Sequence, residues 1–360
     1  MTLSLAEQTL APQRARPWRR RAAGLFSSPG NAFVSLVIAA LLALGVWWFL
    51  RWAIFDAAWT GGAEVCKTHA GACWPFVWTN WRLMAFGVYP QDILWRPAFS
   101  LALMVGVVGL SMAPRFWGWP LFVGWVVTPA AVCVLLGGAA AMRPVSTNDW
   151  GGLPLTLLVW MIAFAGAFVV AVPLALARRS KMGGLRVASV AVIELVRGVP
   201  MLVALYVSRF IVPMMAPAFD VNLFVSVEAA LILFVASYLA EIIRAGLQSL
   251  PSGQAEAAQA LGLSGWRTIQ LVLLPQALRA VIPALVNLGI GVLLSTPLVA
   301  VIGMTDFLSA VKEAASHEQE WPGCYTIAYF VAGAVFFSVC FAVSRYSRWL
   351  ERHLRASGHA

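Results

Sequence analysis

Charged side chains are scarce in this 360-residue sequence, since Asp, Glu, Lys and Arg together make up only 11% of it. Soluble domains carry roughly 25%, whereas 61% of this chain is hydrophobic. The scarcity excludes a water-soluble globular domain. It predicts an all-α polytopic membrane protein, because a bilayer requires every backbone N–H and C=O group to be paired within helices or closed barrels.

Groups that support catalysis or metal binding are also few. The histidines are dispersed over loops and the tail, and no His, Cys and carboxylate set has metal-ligand spacing. GxSxG, HExxH and the phosphate loop GxxxxGK[ST] do not occur, so the chain does not bind ATP through a Walker motif of its own. We therefore expect no enzyme activity, no bound metal and no directly bound cofactor.

Acidic residues in or near the hydrophobic segments are limited to Glu194, Glu228 and Glu241. They are too few and too separated for a proton relay. This argues against a proton-coupled secondary carrier, which is kept as an alternative. A membrane anchor or signalling protein is the alternative from another class, although the chain has no soluble output domain.

Hydrophobic segments dominate the rest of the chain. About 20 apolar residues in a helix cross the roughly 30 Å core of a bilayer. The sequence predicts about eight transmembrane helices, of which the second is short, near 31–55, 97–113, 119–142, 152–177, 188–213, 223–246, 277–303 and 324–346.

The positive charge predicts an orientation. The net charge is +10, and 22 of the 25 basic residues are arginines, clustered between apolar runs. With the N-terminus in the cytoplasm, 17 basic residues fall on the cytoplasmic side and 5 on the other. By the positive-inside rule, both termini are therefore cytoplasmic. This distribution accounts for the charge without a nucleic-acid partner.

Five cysteines are present, and two of them, Cys66 and Cys73, lie in the long external loop 56–96. A disulfide between them suits an oxidising periplasm, and two free thiols are an almost equally good interpretation.

A polar stretch interrupts the hydrophobic chain at 251–275, "PSGQAEAAQALGLSGWRTIQLVLLP". Strong helix formers run from Glu256 to Leu261, and Gly262 is placed to end that helix as a C′ glycine. A second helical run is predicted from Trp266 to Leu274, ending at Pro275. Two short helices joined by a glycine turn would form a knob that suits docking to a partner.

This stretch resembles the EAA loop of ABC-importer permeases, whose pattern is EAA-x3-G-x9-I-x-LP. The matching residues are Glu256, Ala257, Ala258, Gly262, Leu274 and Pro275, with Val272 where isoleucine is usual. In that family the loop is the coupling helix, which docks onto a separate ATP-binding subunit. The resemblance implies that ATP and Mg²⁺ bind to that partner.

Other segments are similar to the polar amino acid permease branch, among them "IELVRGVPMLVALY" and "LPQALRAVIPALVN". The first three spans, the loop around "GACWPFVWTNWRLMAFGVYPQDILWRP" and the end "SRYSRWLERHL" resemble the extended permeases of general L-amino acid importers. The resemblance implies a multi-pass protein of the bacterial inner membrane that translocates L-amino acids. Its partners would be an ATPase, a periplasmic amino-acid-binding protein and a homologous second permease subunit or a second copy.

The resemblance also implies a division of the chain. Residues 1–30 form a basic cytoplasmic segment, 31–145 a three-span extension, 152–349 a type I permease domain that contains the 251–275 coupling loop, and 350–360 a cytoplasmic tail. The last five spans would form the translocating core.

One segment departs from the family pattern. Such permeases typically read close to "FKDTSLVSVIG" where this chain reads "LLSTPLVAVIG". Leu294, Ser295, Thr296 and Pro297 thus replace a Lys-Asp-Thr-Ser run, and Pro297 is expected to kink the helix. Thr296 and Pro297 are candidates for the translocation path. We expect the departure from the family pattern at these residues to affect the range of substrates.

Ionisable residues at helix ends are further candidates for the path or for gating. Glu194 and Arg197 lie three apart, which favours an ion pair, and Gly198 and Pro200 are expected to break the helix just after them. A structural pair and a substrate contact are about equally good interpretations of Glu194 and Arg197. For Glu241 and Arg244 a structural or gating role is favoured.

Overall fold

The computed structural model describes residues 25–139, 142–219, 222–316, 321 and 323–357. Helices make up most of this part of the chain. The α-helices are α1 (Pro29–Leu50), α2 (Ala63–Thr68), α3 (Trp74–Phe86), α4 (Trp95–Ser111), α5 (Trp119–Gly137), α6 (Gly152–Arg178), α7 (Gly183–Gly198), α8 (Met201–Tyr206), α9 (Val212–Met215), α10 (Leu223–Ser249), α11 (Gly253–Ala260), α12 (Gly265–Arg267), α13 (Leu274–Ala280), α14 (Ile282–Ser295), α15 (Phe307–Ser316) and α16 (Tyr325–Ser357).

Shorter elements link these helices. The π-helical turns are Arg51–Phe55, Val207–Ile211 and Thr268–Leu273, and the 3₁₀ segments are Gln91–Ile93, Pro114–Phe116, Thr147–Asp149, Pro217–Phe219 and Thr296–Ile302. One short strand, β1 (Thr305–Asp306), bridges in parallel to Gly151 and Gly152, at the start of α6.

Six helical segments of the described chain are long and apolar enough to span a bilayer, namely Pro29–Phe55, Trp119–Gly137, Gly152–Arg178, Leu223–Ser249, Ile282–Ile302 and Tyr325–Arg352. The pair Gly183–Gly198 and Met201–Met215 passes the same test together but is bent by 106°, the geometry of a broken span or of a re-entrant loop. The remaining predicted span corresponds to α4, whose 17 residues make it the shortest of the set. The expected all-helical membrane fold is confirmed.

The chain divides into two compact units, 1–75 and 76–360. In the first unit, α1 and the π turn after it form the apolar segment, and a small folded loop follows. Trp74 Nε1 donates to the Ala53 carbonyl oxygen at 2.9 Å, and the Trp59 and Trp74 rings stack at 5.5 Å. Buried alanines and Cys73 form the interior of this loop.

The second unit is built around the pair α6 and α10. Alanines on one face of α6 are fully buried, at positions 163, 167, 171 and 175. Small residues spaced four apart let helix backbones approach closely. At Gly166 a Cβ atom would lie 2.8 Å from Cδ1 of Ile232 on α10, so only glycine fits without a shift. Trp160 Nε1 then ties α6 to α14 by donating to the Gly289 carbonyl oxygen at 2.8 Å.

Candidate functional site

The polar 251–275 segment begins where α10 ends, and α11 presents most of its surface to solvent. Glu256 and Ala257 are exposed, whereas Ala258 is 4% exposed and packs inward. Three large apolar side chains of the segment are also exposed, at 84% for Leu261, 63% for Trp266 and 62% for Leu271. A polar segment that exposes this much apolar surface is typical of an interaction site.

A glycine turn ends α11 as the sequence predicts. Gly262 has a φ of +83°, the left-handed conformation that favours glycine. Its N–H donates to the Gln259 carbonyl oxygen at 2.9 Å, and the Leu263 N–H donates to that of Ala258 at 3.1 Å. These two bonds form a Schellman motif, which satisfies carbonyls at the helix end and turns the chain sharply.

The helix after the turn does not end at Pro275, and that prediction is wrong. It continues from α12 through the π turn Thr268–Leu273 into α13, with Pro275 exposed in the first turn of α13. Proline lacks an N–H and crowds the carbonyl four residues earlier. The wider π turn just before it accommodates this, so the helix persists.

Two contacts link α13 to its neighbours α11 and α10. Gln276 Nε2 donates to Gln254 Oε1 at 3.3 Å, which joins α13 to α11. Gly246 on α10 lies so close to α13 that a Cβ atom would meet the Ala277 carbonyl oxygen at 2.9 Å. α13 therefore contacts both α11 and α10.

Four charged residues form an ion-pair cluster where α6, α7 and α10 meet: Arg178, Glu194, Glu241 and Arg244. Arg178 Nη1 lies 3.0 Å from Glu194 Oε1 and 3.1 Å from Glu241 Oε1, and Arg244 Nη2 lies 2.9 Å from Glu241 Oε2. The Arg178–Glu241 contact is an ion pair without hydrogen-bond geometry. The cluster balances two positive and two negative charges across three helices.

The pairing predicted within α7, between Glu194 and Arg197, is wrong. Glu194 pairs with Arg178 from the end of α6, and the Arg197 guanidinium lies 5.2 Å from the centre of the Tyr238 ring on α10. Packing of α6 and α10 beside α7 offers each side chain a partner on another helix. The chain leaves the helix at Val199 and Pro200, directly after Gly198, and there it bends by 106°.

The departing "LLSTPLV" stretch changes helix type. α14 ends at Ser295, and Thr296–Ile302 continues as a 3₁₀ segment with Pro297 in its first turn. Thr296 is 2% exposed and donates to the Leu293 carbonyl oxygen at 2.8 Å. The segment stops at Gly303, whose φ is +101°. Thr296 and Pro297 thus lie at a change of helix type and away from the ion-pair cluster, whose members are on α6, α7 and α10.

In the first unit, Cys66 and Cys73 are joined as a disulfide with their Cα atoms 5.6 Å apart. The bond closes the loop between α2 and α3. The other predicted site residues all lie in the second unit, 76–360.

Neither Arg178 nor Glu228 is among the predicted site residues. Arg178 is the last residue of α6 and the centre of the cluster. Glu228 on α10 is 5% exposed and, among the described residues, its carboxylate oxygens have no hydrogen-bond partner. The described residues contain no group of three His, Cys, Asp or Glu side chains that could hold a metal ion.

Comparison with known proteins places the chain in a family. Residues 167–356 match the model of the family described as binding-protein-dependent transport system inner membrane component. The inner membrane amino-acid ABC transporter permease protein YhdY of Escherichia coli K12 is 40% identical over 347 residues, covering 94% of this chain and 93% of that protein. The glutamate/glutamine/aspartate/asparagine transport system permease protein BztC of Rhodobacter capsulatus is 30% identical, with the same two coverages.

A solved structure of an amino acid ABC transporter with histidines covers 56% of this chain and 92% of its own, at 28% identity and a TM-score of 0.49. The family match spans more than half of the chain, and the match to YhdY nearly all of it. The chain therefore belongs to the family of inner membrane components of binding-protein-dependent transport systems, and it is a membrane-spanning permease subunit.

Proposed function

We propose that this permease subunit imports L-amino acids across the bacterial inner membrane, driven by ATP that a separate subunit hydrolyses. The substrate class is supported by YhdY and BztC, whose names give amino acids as cargo and which align with nearly the whole chain. The observation that carries the coupling mechanism is the exposed 251–275 segment, in which the helix α11 ends at the glycine turn of Gly262.

The docking surface consists of exposed residues on α11 and just after it. Glu256 and Ala257 supply the polar and small part, and Leu261, Trp266 and Leu271 the apolar part. Apolar side chains exposed to this degree favour burial in a groove of the ATPase, because each large one contributes about 1.5–3 kcal/mol when buried. Gly262 shapes the turn at the end of α11. Pro275 lies in the first turn of α13, the helix that is hydrogen-bonded to α11.

Motion of the docked segment would reach the translocation path through α10. This helix leads directly into α11 and carries Glu241 and Arg244, which the cluster connects to α6 and α7. The exposed bend at Gly198 and Pro200 breaks the helix and leaves backbone groups that a path can use. Thr296 and Pro297, at the change of helix type, are the further path candidates. Arg197 lies next to Gly198 at this bend. It is exposed and lies against the Tyr238 ring, and we include it among the residues that contact the path.

The complete importer would contain further partners. A periplasmic binding protein delivers the amino acid, and a homologous second permease, or a second copy of this chain, completes the pore within the lipid bilayer. ATP and Mg²⁺ bind to the ATPase, so this chain holds no cofactor of its own and needs no nucleic acid. Both termini and the 251–275 segment lie on the cytoplasmic side.

Co-purification tests the coupling directly. We expect the ATPase to remain bound to the wild-type permease in detergent, and Glu256→Lys to abolish both its retention and ATP-driven uptake of labelled amino acids into vesicles. Glu64→Lys is the matched control, because Glu64 is 86% exposed and lies in the first unit. It should retain both.

The outcomes separate the alternatives. Full retention and full uptake in Glu256→Lys would falsify the docking role of this segment. Uptake that needs a proton gradient but not ATP would instead identify a secondary carrier. ATP-driven uptake of a solute other than amino acids would overturn only the substrate assignment.

A further inference from the structure

The last turns of α16 carry three arginines on one face. Arg345, Arg348 and Arg352 follow the spacing i, i+3, i+7, so at about 100° per residue they lie within about 60° of one another. All three are exposed, and with Glu351 they line a cavity of about 470 Å³. We call these three residues the arginine stripe. Among the residues whose side chains are described, three arginines and one glutamate line this cavity.

The protein holds this end of α16 in a fixed rotation. The Tyr346 hydroxyl donates to the Ser111 carbonyl oxygen at 3.1 Å, and Leu350 is only 4% exposed. Tyr346 and Trp349 stack with their ring centres 5.6 Å apart. Because Tyr346 and Leu350 pack inward, the arginine stripe faces outward. Within the stripe, Arg352 Nε donates to the Arg348 carbonyl oxygen at 3.1 Å.

The stripe lies at the polar end of a membrane span. The candidate span on α16 is Tyr325–Arg352, and its apolar part exposes Phe337 at 67% and Phe341 at 52%. Trp349, 40% exposed, stands among the arginines. Aromatic and basic residues concentrate where the hydrocarbon core meets the headgroups. A helix that spans the bilayer over Tyr325–Arg352 would hold the arginine stripe at the level of the phospholipid headgroups.

From this geometry we propose that the arginine stripe is a binding site for the phosphate of an anionic phospholipid. Guanidinium groups pair with phosphate oxygens in a bidentate fork, which a lysine ammonium cannot do. Basic clusters beside a span attract anionic lipids in addition. The site is distinct from the ion-pair cluster and the 251–275 segment, so the proposal does not depend on the proposed function.

Native mass spectrometry of the full-length chain tests the proposal. Detergent-purified protein is mixed with equal amounts of phosphatidylglycerol and phosphatidylcholine, and the bound lipids are counted. We expect wild type to prefer phosphatidylglycerol, and the variant Arg345→Gln/Arg348→Gln/Arg352→Gln to lose at least about tenfold of that preference. The matched Lys triple keeps the charge and should fall between the two, and Glu351→Gln should increase the preference.

The opposite results are equally clear. A Gln triple that folds and keeps the phosphatidylglycerol preference overturns the proposal, as does full displacement of the lipid by millimolar inorganic phosphate. A Gln triple that keeps its lipid but loses the ATPase would mark a protein contact instead. If the Gln triple does not fold, the other two variants decide. The proposal is overturned if the Lys triple and Glu351→Gln both prefer phosphatidylglycerol as strongly as wild type does.

Discussion

At the scale of single residues, Arg178 holds acidic groups of two other helices together. Its guanidinium contacts Glu194 on α7 and Glu241 on α10, and its side chain is 21% exposed. Glu241 is 16% exposed, whereas Glu194 is 54% exposed. The Arg178–Glu241 pair is therefore partly desolvated, and water screens the Arg178–Glu194 pair much more strongly.

We expect Arg178→Ala to lower the free energy of unfolding by about 2 kcal/mol, between the ~0–1 kcal/mol of exposed pairs and the larger cost of breaking buried ones. Thermal unfolding in detergent measures the change. Arg179→Ala is the matched control, because Arg179 is the exposed neighbour outside the cluster. Equal melting temperatures for the two variants would contradict the assigned role.

A second residue-scale prediction concerns Tyr89, in the loop between α3 and α4. Its hydroxyl donates to the Leu136 carbonyl oxygen at 2.9 Å, and burial raises the pKa of the phenol above its ordinary 10.0. The folded state thus favours the neutral phenol. This stabilisation is fully present below the ordinary pKa and is lost as the pH rises through the raised one.

Tyr89→Phe should cost about 1 kcal/mol of stability at neutral pH, the typical value of one hydrogen bond. It should also flatten the loss of stability that wild type shows above the ordinary pKa of tyrosine. Chemical denaturation at neutral and alkaline pH measures both effects. An identical pH profile for variant and wild type would show that Tyr89 does not contribute to it.

At the scale of elements, Gly262 determines where α11 ends. Its φ of +83° is costly for other residues, whereas a Cβ atom there would meet nothing within 4 Å. Any effect of substitution therefore comes from the backbone and not from a clash. Asparagine tolerates this conformation better than alanine.

We expect Gly262→Ala to weaken ATPase retention and Gly262→Asn to preserve most of it. The difference should be several-fold, since a left-handed conformation costs a non-glycine residue roughly 1–2 kcal/mol. Retention of the ATPase during purification is the readout. Gly253→Ala is the control, because that glycine also has open space around it but no positive φ. Equal retention in all three variants would argue against a role for the turn geometry.

At the scale of the whole molecule, the arginine distribution predicts which side of the membrane each segment faces. Cysteines introduced at Gly265 and Glu64 in a background without native cysteines should react with a membrane-impermeant maleimide from opposite sides. Gly265 belongs to the 251–275 segment and has open space for a side chain, and Glu64 is 86% exposed. Labelling of both from one side would overturn the proposed topology.

Much of the fold could be predicted from the sequence. Apolar run lengths located the membrane-spanning helices, and Gly198, Pro200 and Gly262 marked breaks that the structure contains. These features depend on local chemistry: the length of a helix in a bilayer, the missing N–H of proline and the conformational freedom of glycine. For the same reason the exposed position of Glu256 on a short helix followed from its neighbours alone.

What the tertiary structure decided depends on how helices pack. The partner of Glu194 is Arg178 of α6, because the helix ends converge there, and no spacing within α7 could indicate it. The helix continues past Pro275 because a π turn precedes it. Leu261 and Trp266 are exposed because, within residues 251–270, only Ala258 and Thr268 pack inward. Sequence periodicity determined which residues can share a face of one helix. Contacts between helices far apart in the chain exist only after folding.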